Sequence, residues 1–227
     1  NGYPLVLSPE AIELVYLPQL EAFRTRLESG VTSLEDPGWL WHDFPDRRWA
    51  DSVKRLPAED PARFEEEMRG RLREALRIPT ISRLDESLVE WDEFDRFIHT
   101  LQQLYPLVHA SLEREIVAGH SLLFRWVGRA ADQPVVLMAH YDVVAATDRG
   151  WEHPPFEAHL VGSGDDAIVW GRGTLDDKGS LIALLEAVEA ALSDGIVPTH
   201  DIYLAFGHDE ETSGTGAAAI AALLQER

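Results

Sequence analysis

The sequence predicts an α/β fold, a mostly parallel twisted sheet flanked by helices, and three observations carry that expectation. Two short runs, Val135–Ala139 and Ile202–Phe206, are apolar at consecutive positions, as in strands covered on both faces. Between them Leu181, Leu184, Leu185, Val188 and Leu192 recur at helical spacing, in a helix beginning near Lys178. Strand, crossover helix and strand in that order make a parallel βαβ unit.

The other elements follow in chain order. Residues 1–57 are rich in aromatics and proline without sustained periodicity, as at Trp39, Trp41, Phe44, Pro45 and Trp49. They read as an amino-terminal extension of unassigned role that packs on the main domain, since flexible linkers are seldom so aromatic. Residues 58–227 carry the α/β pattern. Asp60-Pro61 is a helix N-cap followed by proline at the first helical position. Phe64, Met68, Leu72 and Leu76 then repeat every fourth residue, with Glu65-Glu66-Glu67 as the solvated face. A second helix carries Phe94, Phe97, Ile98, Leu101 and Leu104 and ends before Pro106. Ser121–Trp126 is a strand, Val135–Ala139 a central strand of the sheet, and Ile202–Phe206 a second buried strand. A last helix turns Ile220, Leu223 and Leu224 inward, and the alanine-rich stretch 217–222 is good helix. The sequence has no internal repeat.

Composition removes several classes of function. A formal charge of −20 argues against nucleic acid or an anionic membrane as partner, and it is compatible with metal cations. No apolar window approaches the length of a membrane span. Without cysteine there are no thiolate ligands, no cysteine nucleophile and no disulfides. Lys54 and Lys178 are the only lysines, and the preference for arginine reads as genome composition.

Three stretches carry chemistry: His140-Tyr141-Asp142, Asp176-Asp177 within Gly171–Gly179, and Asp209-Glu210-Glu211. Ligands of open parallel sheets bind beyond the carboxyl ends of the strands. His140 is the first residue past one apolar run, and Glu210 and Glu211 lie just past the other. Asp176 and Asp177 precede a helix in a glycine-flanked turn, where backbone can approach a ligand closely. Each has an ordinary explanation. A histidine after a strand is commonly a satisfied structural residue, and acidic pairs before helices cap them and favour the dipole. Those explanations leave unexplained why three such groups converge on one edge of the sheet. An imidazole, a carboxylate and a carboxylate pair together are ligand chemistry for a two-metal hydrolase. A dinucleotide loop fails because Asp176 stands where it would need glycine, and there is no phosphate-binding glycine-lysine-serine/threonine loop. Neither Ser121 nor Ser180 sits in a nucleophile elbow. His153, in the loop Trp151–Phe156, and His208 read as packing residues.

These motifs resemble those of the M20 metallopeptidases, from about Leu76 to Arg227. The likeness is to the branch of carboxypeptidase S and Gly-X carboxypeptidase. It rests on Ile78–Ser82, Leu137–Val144, Trp151–Phe156, Trp170–Ser180 and Gly207–Glu211; Ala145 departs from the proline usual in that branch. The resemblance implies a zinc-peptidase-like catalytic domain of which residues 58–227 are the amino-terminal part. It implies two Zn2+ ions, with Co2+ or Mn2+ as substitutes, and a metal set of His140, Asp176 and Glu211, with Asp176 bridging. Asp142 would orient His140, and Glu210 would be the general base. The Asp176-Asp177 peptide would be cis in the metal-loaded form.

The implied reaction is hydrolysis of a peptide or amide next to a free carboxylate, with a peptide or N-acyl amino acid as substrate. An N-acyl-amino-acid deacylase or desuccinylase of the same family is one alternative, and a catalytically inert truncated α/β fragment is another. With Asp176 shared, each ion has one further ligand in this chain. The resemblance therefore places the remaining ligands beyond Arg227, together with a domain through which a homodimer can form. Zinc binding by residues 1–227 alone is expected to be weak.

Overall fold

The computed structural model describes residues 61–163 and 167–227. The extension 1–57, Asp60 and the Phe64 side chain lie outside the described residues. Helix α1 (Pro61–Leu76) opens the fold with proline at its first position. Glu66 and Glu67 are exposed while Leu76 is buried, as the four-residue repeat requires. Helix α2 (Trp91–Leu104) buries Phe94, Phe97, Ile98 and Leu101, and Tyr105 separates it from a short helix, α3 (Pro106–Ser111). The strands β1 (Glu113–Val117), β2 (Ser121–Trp126) and β3 (Ala130–His140) follow, then a hairpin of β4 (His159–Val161) and β5 (Ile168–Trp170). Helix α4 (Lys178–Ser193), strand β6 (His200–Gly207) and helix α5 (Thr215–Gln225) complete it.

The α/β class holds, with helices flanking the sheet, but the strand pairing is more mixed than expected. The order is β1-β2-β6-β3. Only β3 and β6, joined through α4, run parallel; β1 with β2 and β2 with β6 are antiparallel. The reason lies in the connections. Parallel neighbours need a crossover, and among these pairs only β3 and β6 are joined through one. β1 and β2 are joined by the short turn Ala118–His120. The short link from β2 to β3 passes the start of β6, where Gly128 N–H donates to Asp201 Oδ1 at 2.7 Å. A Cβ at Gly128 would lie 2.3 Å from the His200 carbonyl carbon, so only glycine fits this crossing.

The expectation that Val135–Ala139 is a central strand is corrected. Among the described residues β3 ends the sheet, and Val135, Val136 and Met138 are exposed there. The two strands covered on both faces are β2 and β6. Leu122, Phe124, Leu204 and Phe206 pack with α1, α2 and α4 in the larger core. Leu123, Tyr203 and Ala205 face the other way, against Ile220 of α5. Leu181, Leu185 and Val188 of α4 are buried as the periodicity predicts. Beneath them Glu186 accepts from Arg71 Nη2 at 2.7 Å and Tyr105 Oη at 2.9 Å, tying α4 to α1 and to the junction of α2 and α3. Among the described residues no helix is long and apolar enough to cross a membrane.

The parallel register sets the site. His140 lies opposite Gly207, so the chain leaves both strands at one level, with Glu210 and Glu211 just beyond. Leu204, central in β6 and fully buried, reports on this core. Leu204→Ala is expected to lower unfolding free energy by about 2–5 kcal/mol. Leu84→Ala, at a side chain 86% exposed, should stay within about 0.5 kcal/mol of the parent. Denaturant titration measures both.

Candidate metal centre

His140, Asp176 and Glu211 come together, each offering one ligand atom, with these atoms all within 4.8 Å of one another. The sequence places them 36 and 35 residues apart in turn; the parallel β3–β6 pair and the start of α4 bring them to one point. His140 is buried and Asp176 is 72% exposed at its side chain, so the cluster is anchored on its strand side and open on the other.

The imidazole is held in one orientation. Its Nδ1 lies 3.1 Å from Asp142 O and 3.2 Å from Asp142 Oδ1, so that nitrogen is the donor. Nε2 is thereby left facing Asp176 Oδ1 at 2.9 Å and Glu210 Oε2 at 3.7 Å. This is the ring orientation of a metal-ligating histidine backed by a carboxylate. Burial alone would lower the imidazole pKa. The hydrogen bond and charge of Asp142, then Asp176 and Glu210, outweigh it and raise the value to about 9.

Asp142 does more than face His140. Its Oδ1 and Oδ2 accept the backbone N–H groups of Glu210 and Glu211, each at 3.0 Å. It is fully buried, which would raise its pKa, yet the His140 contact and the two amides hold it below the usual carboxylate range. Glu211 moves the opposite way: burial, then Asp176, raise its pKa, with His140 opposing. One imidazole nitrogen and two carboxylates within reach of one point form a donor set that fits a divalent metal.

The capping explanations separate residue by residue. Asp177 stands at the N-cap of α4 but makes no side-chain capping bond. Its Oδ2 instead accepts His140 N–H at 3.3 Å, across to β3. The Asp176-Asp177 bond is cis. The residue that caps a helix is Asp209. It accepts Thr215 N–H at 2.7 Å and Ser213 Oγ–H at 2.8 Å on Oδ2, and Gly216 N–H at 3.0 Å on Oδ1. Sequence reasoning missed this division of labour, although Asp209 six residues before a threonine-glycine helix start is a usable signal. It also missed the buried Lys178, at the first position of α4.

The neighbouring histidines are packed away. His208 Nδ1 meets Ser121 Oγ at 2.7 Å in the interior. His153 stacks on His159 with ring centres 3.9 Å apart and meets the edge of Trp170. Its loop braces the site turn, since Pro155 O accepts Arg172 N–H at 2.7 Å.

The chain is similar to several known proteins. The profile of peptidase family M20/M25/M40 matches residues 136–227. The human N-fatty-acyl-amino acid synthase/hydrolase is 42% identical over 176 residues, 74% of this chain and 34% of that protein. Carboxypeptidase S of Saccharomyces cerevisiae is 39% identical over 179 residues, 74% of this chain and 30% of its own length. The chain thus spans about a third of the length of the curated relatives it matches. Among solved structures, human carnosine dipeptidase 1 superposes with a TM-score of 0.58 at 18% identity, over 71% of this chain and 36% of that one. That likeness is one of fold.

A pH dependence follows from His140. Its folded pKa of about 9 exceeds the unfolded value, so the pairing stabilises fully below pH about 6.5 and is lost as pH rises through about 9. The chelator-treated protein should therefore melt at progressively lower temperature between pH 7 and 10. His140→Gln should flatten that slope, as calorimetry across the range would show.

Proposed function

Because the chain belongs to peptidase family M20/M25/M40, we propose that its parent protein is a metal-dependent hydrolase of a peptide or amide bond next to a free carboxylate. The observation that carries this reading is the convergence of His140, Asp176 and Glu211, beside a glutamate they do not require. His140, Asp176 and Glu211 would hold two divalent ions, with Zn2+ suited to this imidazole and carboxylate set. Bound there, the metal supplies Lewis acidity to the scissile carbonyl and acidity to a water.

The residues of this chain then divide the work. Asp142 holds the His140 ring by its Nδ1 side and keeps Nε2 turned to the cluster. It also fixes the turn from which Glu210 and Glu211 project. Glu210, 59% exposed at its side chain and 3.7 Å from His140 Nε2, is free to take a proton from the attacking water and return it to the leaving amine. Adjacent residues in a non-helical turn can face differently, so Glu211 can ligate while Glu210 acts as base.

Carboxypeptidase S is among the relatives, which supports a peptide substrate with a free carboxyl terminus. The human relative is named for N-fatty-acyl amino acids, which present the same amide-beside-carboxylate arrangement and supply the second arm of the assay. Purified whole protein tested on dipeptides and on N-acyl amino acids distinguishes the two. Glu210→Gln should lower turnover by about two to four orders of magnitude with metal content intact. Glu211→Gln should instead lower metal content, read by elemental analysis. The reverse pattern would exchange the two roles.

A further inference from the structure

Lys178 is the one lysine among the described residues, and it is fully buried. An amine in that position is costly, and an apolar side chain of similar volume would fill the space. Its donors go to backbone: Ala75 O at 3.1 Å and Ile78 O at 2.5 Å, with the Phe97 ring centre 4.8 Å away. Ala75 belongs to the last turn of α1, where exposed carbonyls and the helix dipole favour a cation. Burial lowers the lysine pKa to about 7, and the neutral amine still has two N–H groups for two carbonyls.

The stem of Lys178 runs directly beneath the turn that bears Asp176. Gly173, at φ 84°, is so close that a Cβ there would lie 3.0 Å from Val143 Cγ1 and 3.3 Å from Lys178 Cδ. The base of the turn is closed by Gly179 N–H donating to Gly173 O at 3.2 Å, and a Cβ at Gly179 would lie 2.1 Å from Thr174 O. Asp176 and Asp177 sit on the crest of this loop.

The other end of the tether is a strap, residues 78–82. Ile78 O receives Lys178. Two residues on, Thr80 Oγ1 donates to Tyr141 O at 2.5 Å and Thr80 O accepts Val143 N–H at 2.9 Å. Ser82 N–H then donates to Val143 O at 3.3 Å. The strap therefore grips the segment that contains His140 and Asp142.

We infer that Lys178 is a positioning residue for Asp176: through the Ile78 carbonyl it fixes the carboxylate-bearing turn against the strap that holds His140–Asp142, and so sets the spacing of the metal-facing groups. This rests on the metal-site reading above. A lysine that merely closed the end of α1 would affect stability without affecting the ligands.

The test uses the whole protein and compares Lys178→Met with Glu186→Gln. The second variant removes the charge and one acceptor of the Arg71 contact between the same two helices, α1 and α4, away from the ligands. Metal affinity is read by chelator competition with Zn2+, ligand geometry by the visible absorption of the Co2+-substituted protein, and stability by melting. Lys178→Met is expected to weaken metal binding by about 10- to 100-fold, the range for groups that orient ligands, and to shift the cobalt bands. Glu186→Gln should lower the melting temperature and leave both readouts unchanged. Parental affinity and spectrum in Lys178→Met overturn the inference, as does an equal change in Glu186→Gln. Should Lys178→Met not fold, Thr80→Val loosens the same strap from its far end. Weakened metal binding there supports the inference, and unchanged binding overturns it. Absence of metal binding in the parent would remove the metal-site reading and this inference with it, an outcome distinct from a parent that binds and a variant that binds equally well.

Discussion

The Asp142 carboxylate is shared by three donors from two strand ends: Nδ1 of His140, and the amide N–H groups of Glu210 and Glu211. Removing it would release the turn that carries both glutamates and leave the ring held only by the Asp142 backbone carbonyl. The loss is costly, because two part-buried amides would lose their acceptor together. The parallel pairing of β3 with β6 makes the arrangement possible, since it ends both strands at the same level. The carboxylate then closes a gap that strand pairing cannot span, where the chains have left the sheet but must still be held together.

Electrostatics on the outer side of His140 run the other way. Asp176, Glu210 and Glu211 approach one another with a single imidazolium among them. Burial first and then Asp176 raise the Glu211 pKa, and against burial Asp142, with help from Asp176 and Glu210, raises that of His140. Asp142 is satisfied by buried donors, whereas Asp176 and Glu210 are exposed to solvent, with side chains 72% and 59% accessible. The fold thus places a fully hydrogen-bonded carboxylate behind the histidine and open carboxylates before it. Such an arrangement orders the groups around His140 without using up the lone pairs that face outward.

Much of this could be read from the sequence, for identifiable reasons. The apolar runs of β3 and β6 and the stripe of α4 were legible because burial imposes a period or its absence. The convergence of His140, Asp176 and Glu211 was legible because all three follow or precede buried elements at one edge of the sheet. The edge position of β3 was not legible, since a run such as Val135–Ala139 looks the same whether its neighbours lie on one side or two. β1 escaped because Glu113, Arg114 and Glu115 are exposed and leave no alternation. Helix α3 had its signal in Pro106 at the first position, but six residues show little periodicity. The partners of Asp177 and Lys178 were hidden for a different reason. They are backbone groups of His140, Ala75 and Ile78, and a carbonyl or an amide has no sequence signature.

That last point explains how the acidic residues sort themselves. Asp142, Asp177 and Asp209 each lie within two residues of another acid or a histidine, and by residue type any of them could be a ligand. What separates them is the number of backbone donors within reach. Asp142 has two amides and Asp209 has two amides with nearby hydroxyls, which leaves little lone-pair capacity for a metal. Asp177 has one amide, that of His140 itself. Asp176 and Glu211 face His140 and one another. Carboxylates that find peptide donors hold the scaffold, and those denied them by the geometry of the turns keep their lone pairs open at the His140 cluster.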